Sequence, residues 1–401
     1  MKELKNFFYP KTIAVIGASN DLKKVGGILM HKLLKFEGEI IPINPNHKIV
    51  QEKIAYPNIK NVKKRIDFAI VVIPSESVKQ ILIECGKKKI KNVIIISAGF
   101  GEIGKIKEEK ELTEIAKVYK INLLGPNCFG IANPEKNLDA TFSNLSAKKG
   151  NIAFVSQSGA LWSYISDYKI GFSKFISLGN MAGLNFADLI DYLNKDKKTK
   201  KIILYVEKLK EGKEFIKICK KSKKEIIAIK AGKSKEGREA AISHTGSLAT
   251  DFKIYKGIFK QAKIKQLDSI GEALGIGKIE VIPDKKNKII IVTNAGGAGT
   301  LITDRYIERG YKLVKPPIDI LGTASSKDYK KTFDKIKKLK SYDVIITILT
   351  PQRMSEPEQT AREIVKLSKT KKVIAYFLGD RSVHKAKRIL EENKIACYTK
   401  I

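Results

Sequence analysis

Short runs rich in Ile and Val recur along the chain and alternate with segments long enough for helices. In order they are TIAVIG, EIIPIN, DFAIVVIP, NVIIISAG and INLLG, then NIAFVS, KFISLG, KIILYVE and EIIAIKAG, then KIIIVTN, YKLV, DVIITIL and KVIAYFLG. Hydrophobicity within each run is continuous rather than alternating. A strand with one wet face would alternate, so these strands are expected to be buried on both faces, as in parallel sheets covered by helices. The predicted fold class is α/β, with three doubly wound βα domains.

Punctuation sets the expected boundaries. The first set of strands closes around GPNCFGIANPEKN, and the polar residues that follow, up to about position 150, read as a connector. The second set runs out near EVIPDKKNK, where Pro283 and a charged stretch precede KIIIVTN. The expected domains are 1–145, 146–284 and 285–401. The second and third each open with a strand, a loop of small residues and a helix, IAFVSQSGA and IIIVTNAGGAGT, a weak internal echo.

Composition narrows the class. Hydrophobic residues are 43% of 401, normal for a globular chain. No apolar run nears the ~18 residues of a membrane helix. The N-terminus enters a strand without a signal-like core, so a cytoplasmic protein with no membrane association is expected. The net charge of +35 comes from lysines scattered over helices and loops, many beside Glu, with no nucleic-acid-reading motif. A solvated lysine surface that draws in anionic ligands is the expectation, without nucleic acid as a partner. Cys85, Cys128, Cys219 and Cys397 are widely spaced, which speaks against a disulfide framework or a zinc site. No metal site is expected.

The turn after IAVIG at 13–17 aims backbone N–H groups and a helix start near Lys24 at a phosphate. The spacing is not GxGxxG, since Ala18, Ser19 and Asn20 follow Gly17. The tip of the second strand, Asn44-Pro45-Asn46, carries no carboxylate for NAD ribose hydroxyls, and His47 and Lys48 come next. A basic tip suits a phosphorylated ribose, as in NADP or coenzyme A. Further loops follow later strands: IPSES, ISAGFGE (with Ser97, Ala98 and Gly99) and GPNCFG (with Asn127). Together with Gly17, Ser19 and Asn20, these loops resemble the coenzyme A-binding domain of succinyl-CoA synthetase α chains and NDP-forming acyl-CoA synthetases. The resemblance implies coenzyme A contacts at Gly17, Ser19, Asn20, Lys24, Asn44, Lys48, Ser97, Ala98, Gly99 and Asn127.

Of four histidines, His31, His47 and His384 lie among lysines on helices or turns, whereas His244 sits among small and hydroxyl residues in AAISHTGSLA. Phosphoryl transfer needs a nucleophile and an anion cradle, and imidazole suits a relay. Two loops could form the cradle: Ser156, Gln157, Ser158 and Gly159 in one, Asn294, Gly296 and Gly297 in the other, each opening a helix.

SHTGSLA, KAGKS at 230–234, SQSGAL at 156–161, SLGNMA at 177–182 and TNAGGAG at 293–299 resemble, in the same order, the α subunit of archaeal ADP-forming acetate–CoA ligases. The resemblance implies a Rossmann-like coenzyme A domain and two flavodoxin-like ligase domains. It implies a phosphohistidine at His244, supported by Glu207 of LYVEKL. It implies that acyl-CoA, ADP and phosphate become acid, coenzyme A and ATP. ADP/ATP and magnesium would sit on a separate ATP-grasp β subunit in a hetero-oligomer such as α2β2, with Gly232, Gly237 and Gly246 permitting the histidine loop to move.

Three departures fall in the third domain. The stretch between YKLVKPP and IDILGTA is short, the chain stops at IACYTKI, and Ala298 stands where proline is frequent in the family. The alternatives are a succinyl-CoA synthetase-like α chain, an oxidoreductase using NADP or coenzyme A, and a non-catalytic coenzyme A-binding protein.

Overall fold

The computed structural model describes residues 4–245, 251–277, 288–339, 341–352 and 354–401. The aliphatic runs form three large sheets. The first has five parallel strands in the spatial order Glu39–Ile43, Thr12–Ile16, Phe68–Val71, Asn92–Ile95 and Asn122–Leu124. The second has seven, in the order Lys265–Leu267, Glu225–Lys230, Lys201–Val206, Lys148–Ser156, Gly171–Ser177, Gly130–Asn133 and Leu138–Thr141. In the third, Lys288–Thr293 lies between Val344–Leu349 on one side and Lys312–Leu313 with Ile318–Asp319 on the other. Lys372–Phe377 and Cys397–Tyr398 continue that sheet outward.

The parallel strands of all three sheets share one winding. In each, the first of them (Thr12–Ile16, Lys148–Ser156 and Lys288–Thr293) is flanked on both sides by parallel strands that follow it in the chain, so the chain winds one way and then the other from a central strand. Helices leave such a strand and its neighbour toward opposite faces, which opens a crevice at their carboxyl ends. The echo between the second and third domains therefore extends to the first as well.

Burial on both faces joins the layers. Alternate residues of a strand point to opposite faces. On the central strand of the second sheet, Ala153 and Val155 pack with Leu29 and Met30 of the first domain. Phe154 turns the other way and packs with Ile289 and Ile291 of the third. Each fully buried side chain of this kind contributes about 1.5–3 kcal/mol. The second domain is thus the middle layer, with a core shared on either side.

One expected boundary shifts. Gly130–Asn133, inside the expected unit 1–145, pairs antiparallel with Gly171–Ser177 on one side and with Leu138–Thr141 on the other, so both strands belong to the second sheet. GIAN and LDAT are short and poor in β-branched residues, which is why neither reads as a strand. The expected boundary at 284/285 lies outside the described residues.

Candidate functional site

The carboxyl ends of the three sheets face one cavity of ≈ 660 Å³. Gly17 and Val72 reach it from the switch point of the first sheet, Gln157 and Ser158 from that of the second, and Asn294 and Gly296 from that of the third. A larger groove of ≈ 1230 Å³ lies between the helices Lys5–Phe8 and Phe186–Lys195. It is bounded by helix faces rather than strand ends, so it lacks the backbone groups that the cavity gathers.

From the first domain, Ser19 and Lys24 line the cavity beside Gly17, at the start of the helix Val25–Leu33. Ser97, Ala98 and Asn127 line it too. Ser97 Oγ donates to the Ile73 carbonyl at 2.6 Å and accepts from Ile73 N at 3.0 Å, tying two strand-end loops together. Asn127 Nδ2 donates to Asn180 Oδ1 at 3.2 Å, and Asn180 Nδ2 donates to Glu102 Oε2 at 2.6 Å and Glu109 Oε2 at 2.7 Å.

Four of the expected coenzyme A contacts stand elsewhere. Asn20 Nδ2 donates to the Ile49 carbonyl at 3.2 Å while its Oδ1 accepts from Gln51 N at 2.8 Å. Asn44 Nδ2 donates to the Ala18 carbonyl at 2.7 Å, and its Oδ1 accepts from Asn46 N at 2.7 Å and His47 N at 3.2 Å. Both asparagines shape the loops around the turn. Gly99 donates its N–H to Glu102 Oε1, and Lys48 is exposed. None of the four lines the cavity.

The two loops expected to form a phosphate cradle are unequal. Ser156 Oγ donates to the Ser158 carbonyl at 2.6 Å and stays behind the wall. Gln157 Oε1 accepts from Glu207 N at 2.7 Å and Lys208 N at 2.9 Å, bridging the switch point of the second sheet. Among the described residues Ser158 Oγ is buried without a hydrogen-bond partner at the cavity wall beside Gly159, so it is free to donate to a group in the cavity. The helix that follows is only Leu161–Ile165, too short for much of a dipole. The helix Gly296–Glu308 is thirteen residues long and supplies the stronger N-terminus. Asn294 ties its strand to the next: Nδ2 donates to the Thr350 carbonyl at 3.0 Å and Oδ1 accepts from Thr350 N at 2.8 Å. Gly297 lies just behind the wall, where a Cβ would fall 2.4 Å from Ser158 Oγ.

Glu207 follows the strand Lys201–Val206 and is buried, outside the cavity lining. The Tyr205 phenol beside it is held well above its ordinary pKa, first by burial and then by the Glu207 and Asp304 charges. His244 is the penultimate residue of the helix Lys235–Thr245, and its side chain is outside the described part of the structure, as is Gly246. Gly232 N donates to Asp304 Oδ2 at 2.8 Å and Gly237 N to Ser234 Oγ at 2.9 Å, so both of these expected hinge glycines are engaged.

Phe129, Phe142, Leu321, Met354 and Gln352 also line the cavity and were not among the expected site residues. Phe129 and Phe142 pack with ring centroids 3.8 Å apart and their planes tilted by 37°, as an apolar wall. Gln352 is buried, and its Oε1 has no hydrogen-bond partner among the described residues. Only its place just after the strand DVIITIL could have flagged it. Asn180 belongs to the SLGNMA motif, so that motif was a usable signal.

Comparison with known proteins matches residues 11–134 to a CoA binding domain and residues 149–279 to a succinyl-CoA ligase like flavodoxin domain. The α subunit of acetate–CoA ligase [ADP-forming] II from Pyrococcus furiosus is 43% identical, over 98% of this chain and 94% of that one. An acetate–CoA ligase [ADP-forming] from Methanocaldococcus jannaschii is 39% identical over 99% of this chain, which spans 61% of that longer protein. A solved structure of a dinucleotide forming acetyl-coenzyme A synthetase 1 from Ca. Korarchaeum cryptofilum, in complex with phosphate and ADP, superposes with a TM-score of 0.66. It is 33% identical and covers 100% of this chain and 94% of that one.

Proposed function

The chain belongs to the family of ADP-forming acetate–CoA ligase α subunits, and from that premise we propose that it converts an acyl-CoA and phosphate to the free acid and coenzyme A while passing the phosphoryl group through His244. The observation that carries this reading is the meeting of three switch points on one cavity. The first offers Lys23, Lys24 and a helix start to the phosphates of coenzyme A, and the second and third offer a hydroxyl and a helix N-terminus to inorganic phosphate. The wall of Phe129, Phe142, Leu321 and Met354 takes the apolar acyl and pantetheine segments.

A phosphate oxygen attacks the acyl carbon, the C–S bond breaks, and coenzyme A leaves as thiolate and takes up a proton. An imidazole nitrogen of His244 attacks phosphorus, the P–O bond to the acyl group breaks, and the acid leaves as carboxylate. Preorganised donors at Ser158 and the Gly296 helix start stabilise the charge on the phosphoryl oxygens as it is transferred. Phosphohistidine then gives its phosphoryl group to the terminal oxygen of ADP. For that step we infer an ATP-grasp β subunit holding ADP and magnesium, since all three sheets of this chain are already used by the cavity.

Purified alone and supplied with acetyl-CoA, phosphate, ADP and magnesium, the chain should make no ATP. Addition of the ATP-grasp polypeptide should start synthesis, and ATP made by the chain alone would show that the nucleotide site has been misplaced.

A further inference from the structure

Asp304 lies on the third-domain helix Gly296–Glu308, eight residues or about 12 Å beyond the helix start at the cavity. Its side chain is buried and crosses to the second domain. Oδ2 accepts from Gly232 N at 2.8 Å and Lys233 N at 2.9 Å, and Oδ1 accepts from Ser234 N at 2.9 Å and Ser234 Oγ at 2.7 Å. Ser234 Oγ in turn accepts from Gly237 N at 2.9 Å, inside the first turn of the helix Lys235–Thr245. A Cβ on Gly237 would lie 1.9 Å from Asp304 Oδ1, so glycine is what lets that turn approach so closely.

One carboxylate therefore takes four hydrogen bonds from the foot of the helix that bears His244, close to its full accepting capacity. A negative charge is also favourable at a helix N-terminus. His244 lies nine positions beyond Lys235, or about 13 Å along the helix. The same helix packs on the turn Gly101–Ile103 of the first domain. The helix Gly296–Glu308 thus does two jobs: its start faces the cavity, and its Asp304 holds the foot of the histidine helix at a fixed distance from that start.

We propose that Asp304 is a positioning residue for phosphoryl transfer, setting where the His244 helix stands relative to the phosphate cradle. The proposal rests on the reading of His244 as the phosphate acceptor. It locates any travel of His244 beyond the first turn of its helix, since Gly232 through Gly237 are tied to the third domain. Asn in place of Asp304 would turn one acceptor into a donor facing donors and leave buried N–H groups unpaired.

A second clamp between the same two domains provides the control. Asp167 Oδ2 accepts from Asp380 N at 2.8 Å and Ser382 N at 3.0 Å, and its Oδ1 accepts from Ser382 Oγ at 3.0 Å, away from the histidine helix. The experiment compares wild type, Asp304→Asn and Asp167→Asn in two assays on the full chain. The first is thiol release from acetyl-CoA with arsenate. Arsenate attacks the acyl carbon, the thiolate leaves and water hydrolyses the acyl arsenate, so the cavity is needed and the histidine is not. The second is the rate at which acetyl phosphate labels the chain with phosphate. Asp304→Asn should keep arsenolysis near the wild-type rate and slow labelling by at least about tenfold, the scale expected for a misplaced nucleophile. Asp167→Asn should lower the melting temperature and spare both rates. Equal losses in both assays for Asp304→Asn, or labelling at the wild-type rate, would overturn the proposal. Wild type that is never labelled at His244 would instead overturn the functional reading beneath it.

Discussion

At Lys230 the strand end buries a full positive charge. Its side chain is 3% exposed, with Nζ 4.4 Å from the centre of the Tyr255 ring and a hydrogen bond to the Ala231 carbonyl. Burial pulls its pKa down to about 8, while the charges of Asp304 and Glu207 act against the fall. The unfolded lysine titrates near 10.5, so between about 8 and 10.5 the unfolded chain binds the extra proton. Stability from this residue is therefore fully present above 10.5 and lost as pH falls through 8, an effect of at most about 3 kcal/mol. In urea unfolding, the stability of wild type minus that of Lys230→Met should grow between pH 8 and 10; a difference that stays flat would show that Lys230 does not titrate in this window. The sequence did not distinguish this lysine from its neighbour. In KAGKS the two look alike, but Lys233 Nζ reaches out to Asp268 whereas Lys230 turns inward.

Elements were easier to read than their lengths. Continuous Ile and Val runs marked the central strands, because a strand covered on both faces has no polar positions to interrupt it. GIAN and LDAT, which pair at the margin of the second sheet, gave no such signal. SQSGAL and NAGGAG also looked equivalent, yet one leads into the five residues Leu161–Ile165 and the other into the thirteen of Gly296–Glu308. The long helix can come close only because its second residue is glycine. A Cβ on Gly297 would stand 2.4 Å from Ser158 Oγ and 2.9 Å from Tyr205 Oη. Gly297→Ala should therefore push the two halves of the cradle apart, costing about 1–3 kcal/mol of stability by overpacking. It should also raise the KM for phosphate more than that for acetyl-CoA, as steady-state kinetics with the partner subunit would register. A larger rise for acetyl-CoA would place the phosphate elsewhere.

The molecule as a whole is one winding used three times, with the three switch points turned to a common cavity. The sequence disclosed the loops and their order, because Gly17, Gln157-Ser158 and Asn294-Gly296 each follow a buried strand. It did not disclose which polar residues face the cavity. Asn20 and Asn44 are spent on backbone partners from distant loops, while Gln352 and Asn180 come in from strands whose neighbours are set by packing between layers. Such choices depend on contacts 26 to 78 residues apart in sequence, beyond any local pattern.

The proposed passage of phosphate through His244 joins these levels. The most direct measurement is mass-spectrometric mapping of the chain after incubation with acetyl-CoA and labelled phosphate. The phosphate should be acid-labile, base-stable, confined to His244 and absent from His244→Ala, and it should leave on addition of ADP only with the ATP-grasp subunit present. Label on another residue, or label of the same amount in His244→Ala, would contradict the relay.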